Sequence, residues 1–159
     1  MYPNYARSER IADGTMHAIG VLGAITGAIF LMVWVAAQAP ASYTVAIAIY
    51  GATLIATFVI SAMYHMTPVE ELRPLLRRCD HAAIFLQIAG TYTPLVVMIG
   101  NWFAYTILAV VWVLAVVGMI LKLYFWRNPG RQGAILILLM GWLSLALVGS
   151  LWPIVPMSA

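Results

Sequence analysis

The chain has 159 residues, of which 64% are apolar and only 8% are charged, and its formal net charge is +3 at pH 7. Because an ordinary soluble domain carries roughly 25% charged residues, eight basic and five acidic side chains cannot cover a soluble surface of this size. The composition therefore excludes a soluble globular enzyme, a nucleic-acid-binding module and a disordered chain. We expect the protein to contact membrane lipids and to bind no nucleic acid.

The charged residues form three clusters, and the chain between the clusters predicts five membrane-spanning helices. Charge-free stretches lie at 14–69, 81–121 and 132–159. A spanning helix needs about 20 apolar residues, so the first two stretches each hold two spans and the last holds one. The sequence predicts an all-α transmembrane bundle in a single membrane domain, 1–159, with spans near 16–37, 43–65, 82–99, 103–124 and 134–152.

The orientation of the bundle follows from this arrangement. Two spans in each of the first two stretches return the chain to the same side, so all eight Lys and Arg residues lie on one face. The positive-inside rule predicts that this face is cytoplasmic, which places the N-terminus inside. The alternative, a signal peptide cleaved after Ala37-Gln38-Ala39, requires a shorter apolar run than the one present.

The three histidines all fall at the predicted cytoplasmic edge. Ser61 and His65 are four residues apart and share a helix face. Imidazole is a preferred zinc ligand, so His65 is a candidate metal ligand, with an interfacial histidine hydrogen-bonded between helices as the alternative. Small residues follow His17 at helical spacing, which favours a helix-packing hydrogen bond. We interpret His81 as a residue at the level of the lipid headgroups.

Asp80 has two compatible interpretations. As the N-cap of the third helix, its carboxylate would accept hydrogen bonds from free backbone N–H groups. As a functional group, it would be a general base for water or a carboxylate that orients a metal ligand. Polar side chains continue from it at helical spacing through Gln87 to Thr91, which favours a position facing into the bundle.

Four stretches of the chain carry a family resemblance. They are Glu9-x3-Asp13-x3-His17, Ser61-x3-His65, the segment 80–94 that begins Asp80-His81-Ala82-Ala83, and Met140-Gly141-Trp142. In this order they resemble the hemolysin III family, the bacterial branch of the progestin and adipoQ receptor family. The resemblance implies seven helices, an inside N-terminus and a zinc ion near the cytoplasmic side.

The resemblance also implies roles for single residues. His65 falls on a zinc ligand of the family, and Ser61 and Asp80 fall on the other residues of the site that this chain contains. By its similarity to alkaline ceramidases, the family implies a zinc-dependent lipid amide hydrolase acting in membrane-lipid homeostasis. The alternatives are a non-enzymatic receptor or homeostasis protein, and a cytolysin.

Two departures from the family pattern matter. Asp13 stands where the family usually has Asn, and both residues hydrogen-bond in similar ways. The family supplies two further zinc ligands from a His-x3-His in its seventh helix, which would lie beyond Ala159. We therefore expect either a C-terminally truncated member with an incomplete zinc site, or a chain that no longer binds zinc in this way. His17 and Asp13 are secondary candidates for the site.

Overall fold

The computed structural model describes residues 6–125 and 132–151, and every regular element in this part of the chain is helical. The five α-helices are α1 (Arg7–Gln38), α2 (Ala41–Met66), α3 (Arg73–Ile99), α4 (Trp102–Tyr124) and α5 (Gln132–Leu151). A short 3-10 turn at Glu70–Leu72 precedes α3. The prediction of an all-α bundle is therefore confirmed.

Four of the helical segments are long and apolar enough to cross a membrane. They are α1, α2, the segment Glu70–Ile99 that contains α3, and α4, and α5 contains the shorter apolar helix Gly133–Val148. Large apolar side chains are exposed along them, among them Phe30, Trp34 and Trp142, as expected for helices that face lipid. The limits of the predicted spans stay predictions, and position 152 and the two arginines at 127 and 131 lie outside the described residues.

Short connections set the order of the bundle. The α1–α2 turn is Ala39-Pro40, and the α3–α4 turn is Gly100-Asn101. Gly100 ends α3 with a φ of 71°, a left-handed conformation that suits glycine. The Asn101 side chain then accepts a hydrogen bond from the Ala104 N–H at 2.8 Å and caps α4. Such short turns make consecutive helices antiparallel neighbours.

Consecutive helices pack against each other, and the core is at one end of this row. Among the described elements, α1 contacts α2, α2 contacts α3, and α3 contacts both α4 and α5. The buried apolar cluster lies between α3, α4 and α5, where Phe85, Val96, Val111 and Met140 are fully buried. The Tyr92 hydroxyl donates a hydrogen bond to the Met140 carbonyl oxygen and joins α3 to α5.

The α2–α3 contact depends on a glycine, and alanine at that position is expected to destabilise the fold. A Cβ added at Gly90 would lie 2.8 Å from Thr53 Cβ, which is closer than side chains approach. We expect Gly90→Ala to cost about 1–3 kcal/mol, because a short, buried threonine cannot move aside without moving its helix. Gly23→Ala is the matched control, since a Cβ there meets nothing within 4 Å. Thermal unfolding in detergent micelles measures both, and equal midpoints would contradict the prediction.

Candidate metal centre

The first turns of α1 place a carboxylate and an imidazole side by side. The helix begins at Arg7, and the Ala6 N–H donates a hydrogen bond to Glu9 Oε2 at 2.8 Å, which satisfies a backbone group at the helix start. Asp13 and His17 follow one turn apart, on one face of the helix. Asp13 Oδ1 lies 3.4 Å from His17 Nε2.

The last turn of α2 adds a second imidazole to this pair. Because α1 and α2 form an antiparallel hairpin, the end of α2 returns to the beginning of α1. His65 Nδ1 lies 3.7 Å from Asp13 Oδ2, and the ring centroids of His65 and His17 are 4.6 Å apart. The ligand atoms of Asp13, His17 and His65 all lie within 4.8 Å of one another, and we call these three residues the DHH cluster.

The DHH cluster is open to solvent on one side. The His17 side chain is 17% exposed, while those of His65 and Asp13 are 41% and 44% exposed. His17 therefore faces the packed part of the hairpin, and the side chains of His65 and Asp13 are on its surface. An ion can reach the cluster from this exposed side, and the Asp13 carboxylate supplies a negative charge opposite a cation.

The donors of the DHH cluster are of the kinds that zinc binds, and their spacing approaches the spacing that zinc requires. Zinc binds histidine nitrogen and carboxylate oxygen at about 2.0–2.2 Å in tetrahedral geometry, which sets neighbouring ligand atoms about 3.3–3.6 Å apart. Asp13 Oδ1 lies 3.4 Å from His17 Nε2 and Asp13 Oδ2 lies 3.7 Å from His65 Nδ1, which are close to this value, although they belong to different oxygens. The three ligand atoms of the DHH cluster lie within 4.8 Å of one another. Two histidines and one carboxylate are also the donor set of catalytic zinc sites, which keep one position open.

The other predicted site residues lie outside the DHH cluster. Ser61 is partly buried on α2, one turn before His65. Asp80 and His81 are on α3, with Asp80 Oδ2 3.6 Å from His81 Nδ1, and His81 Nδ1–H donates a hydrogen bond to the Arg77 carbonyl oxygen at 2.8 Å. The DHH cluster is the one group of three or more potential ligands among the described residues, and Asp80 is not in it.

The interpretation of Asp80 as a helix N-cap is wrong. α3 begins at Arg73, with Leu72 in the capping position, so Asp80 lies inside the helix about two turns from its start. Pro74 is in the first turn of α3, where a missing N–H costs nothing. The helix therefore includes the polar residues that precede the charge-free stretch, which begins only after Asp80.

Sequence reasoning gave Asp13 and His17 only a secondary place, although a signal for them was present. The i, i+4 spacing of Asp13 and His17 puts both on one face, at the same level of the bundle as His65. The sequence alone does not show which face of α1 packs against α2. The contact of His17 with His65 therefore required the structure.

A row of long apolar helices with a cluster of metal-ligand side chains at one end defines a helical membrane protein with a candidate metal centre. Comparison with known proteins gives the family. The family described as "Haemolysin-III related" matches residues 5–159, and the chain belongs to it. The resemblance found in the four sequence stretches is thus confirmed.

Two relatives show how much of the family's length this chain represents. It is 32% identical to Hemolysin-3 of Bacillus cereus over 145 residues, which are 91% of this chain and 66% of that protein. It is also 32% identical over 145 residues to the Hemolysin-3 homolog of Bacillus subtilis (strain 168), covering 91% of this chain and 68% of the relative. The chain therefore spans about two thirds of the length of these relatives. No solved structure matches the chain.

Proposed function

We propose that this haemolysin III family protein holds a zinc ion in the DHH cluster and serves the hydrolysis of a lipid amide at the cytoplasmic face of the bacterial inner membrane. The observation that carries the proposal is the convergence of Asp13, His17 and His65, whose ligand atoms lie within 4.8 Å of one another. The cytoplasmic position rests on the distribution of Lys and Arg along the chain.

Three residues are the ligands in this proposal. Asp13 and His17 come from α1 and His65 from α2, and their two imidazoles and one carboxylate suit zinc. When bound, zinc supplies Lewis acidity, which polarises a carbonyl group and lowers the pKa of water. The solvent-exposed side of the DHH cluster leaves room for a substrate group that approaches from the headgroup region.

Two further residues have catalytic roles that rest on the family resemblance. Asp80 would accept a proton from the attacking water and return it to the amide nitrogen as the C–N bond breaks and the amine leaves. Ser61 Oγ would donate a hydrogen bond to the oxygen that becomes negative as the amide carbonyl is attacked. Ser61 is one turn from His65 on the same helix, which supports its place near the ligands. A membrane lipid is the substrate because the cluster lies at the ends of long apolar helices.

The test of the metal centre is a zinc measurement on the purified full chain. We expect about one zinc per wild-type chain, and a substoichiometric amount after His65→Ala, because the variant loses a nitrogen donor. His81→Ala is the matched control, since His81 lies outside the DHH cluster and should leave the zinc content unchanged. Equal zinc contents in His65→Ala and wild type would refute the assignment of His65 as a ligand.

A non-enzymatic membrane receptor or homeostasis protein is the second candidate. The observation in its favour is that Asp80, the proposed base, is not among the clustered ligands and lies beside His81 instead. A metal in the DHH cluster would then have only a structural role. Turnover of ceramide-like N-acyl lipids separates the two candidates: activity lost in Asp80→Ala with zinc retained supports the hydrolase.

A further inference from the structure

In the part of the chain that the structure describes, the first helix contacts one other helix. Among the described elements, α1 contacts α2 alone, and only Ala24 and Ala28 of its 32 residues are buried. At one end, the Ala39-Pro40 turn joins α1 covalently to α2. At the other end, from Arg7 to His17, the contacts of α1 with the other described helices are non-covalent contacts with α2.

These contacts change character along the hairpin. Near the middle, Ala28 packs closely on Gly51, where an added Cβ would lie 3.1 Å from the Ala28 Cβ. Further from the turn, the Phe58 ring covers Gly20. At the open end the contacts are those of the DHH cluster, in which the His17 and His65 rings meet and Asp13 faces His65.

We infer that a metal ion in the DHH cluster acts as a clasp that closes the open end of the α1–α2 hairpin. The inference rests on the proposed metal centre and adds a conformational role to it. Two ligands come from α1 and one from α2, so coordination of all three ties the helices together. Without the ion, a partly exposed contact between Asp13 and the histidines remains, and such contacts hold weakly.

With this clasp, the population of the closed conformation of residues 7–17, at the N-terminal end of α1, depends on whether the metal is bound. A ligand that binds only the closed form reduces the open population by the factor 1 + [L]/Kd, which is about 100-fold at a free concentration of 100 Kd. Opening of a helix end with few buried contacts is a local event, so the rest of the bundle keeps its structure. The core between α3, α4 and α5 shares no residue with the hairpin.

Hydrogen–deuterium exchange on the full chain in lipid nanodiscs tests the clasp. Exchange is followed in peptides from 7–17 and, as an internal reference, from α4, first with chelator and then with zinc at about 100 Kd. We expect zinc to slow exchange in 7–17 by up to about 100-fold and to leave α4 unchanged. His81→Ala should respond to zinc as the wild type does, whereas His65→Ala should not respond.

The outcomes separate the clasp from the metal centre on which it rests. Stoichiometric zinc in the wild type with unchanged exchange in 7–17 would overturn the clasp and leave the metal centre standing. Absence of zinc from the wild type would overturn both. If α4 of His65→Ala exchanges faster than in the wild type, the variant is misfolded, and His17→Ala replaces it as the ligand variant that must fail to respond.

Discussion

Replacing Asp13 by alanine is expected to lower the zinc affinity of the full chain at least ~100-fold. Loss of a residue that only hydrogen-bonds to a metal ligand lowers the affinity by up to about 100-fold, and loss of a ligand itself should cost no less. Asp13 is the only acidic member of the DHH cluster, and its two oxygens lie 3.4 Å from His17 Nε2 and 3.7 Å from His65 Nδ1. Its loss removes both an oxygen donor and the negative charge opposite the ion. Zinc titration against a competing chelator measures the affinity.

Asp80→Ala is the control that makes this prediction specific. Asp80 is also a carboxylate near the predicted cytoplasmic edge, but it lies beside His81 and outside the DHH cluster. We expect its alanine variant to bind zinc like the wild type. The reverse result, with zinc lost in Asp80→Ala and kept in Asp13→Ala, would move the metal centre to α3 and contradict the proposed ligand set.

The fold was predictable because the charges of this chain are few and clustered. Three clusters and the charge-free stretches between them predicted five helices, and the described part of the chain has five, of which four are in segments long and apolar enough to cross a membrane. The helix ends were less predictable, as α3 shows by beginning at Arg73 before the apolar stretch. Hydrophobicity marks the part of a helix that crosses lipid, whereas backbone hydrogen bonding continues through polar residues such as Arg77 and Asp80.

The sequence predicted at which end of the bundle the candidate site lies, but only some of the residues that form it. Spacing on one helix relates Asp13 to His17 and Ser61 to His65, because residues four apart share a face. Which of His17 and His81 meets His65 depends on how the helices turn about their axes. That rotation is set by packing, such as Phe58 over Gly20 and Ala28 against Gly51, and a single sequence does not encode it in any simple pattern.

The core and the metal centre lie in different parts of the row of helices. The buried apolar cluster joins α3, α4 and α5, whereas the DHH cluster joins α1 and α2. A change in the core should therefore alter stability with little direct effect on the ligands. The unfolding free energy and the zinc content can therefore report separately on a substitution in the core.

Phe85→Ala is expected to destabilise the protein by about 3–5 kcal/mol, the usual cost of truncating a buried phenylalanine. Phe85 is fully buried in the α3–α5 core, and its ring fills the space beside Gly118, where an added Cβ would lie 2.8 Å from Phe85 Cγ. Removal of the ring leaves a cavity between α3 and α4 that neither helix backbone can close. Reversible unfolding in mixed micelles measures the loss of free energy.

Phe30→Ala is the matched control, because this substitution removes the same atoms from a position that is 66% exposed. Lipid or detergent tails take the place of its ring, so the expected change is well under that of Phe85→Ala. Folded Phe85→Ala should also keep the zinc content of the wild type, because the ligands lie on α1 and α2. Equal unfolding free energies for the two variants would show that the α3–α5 cluster is not the stabilising core.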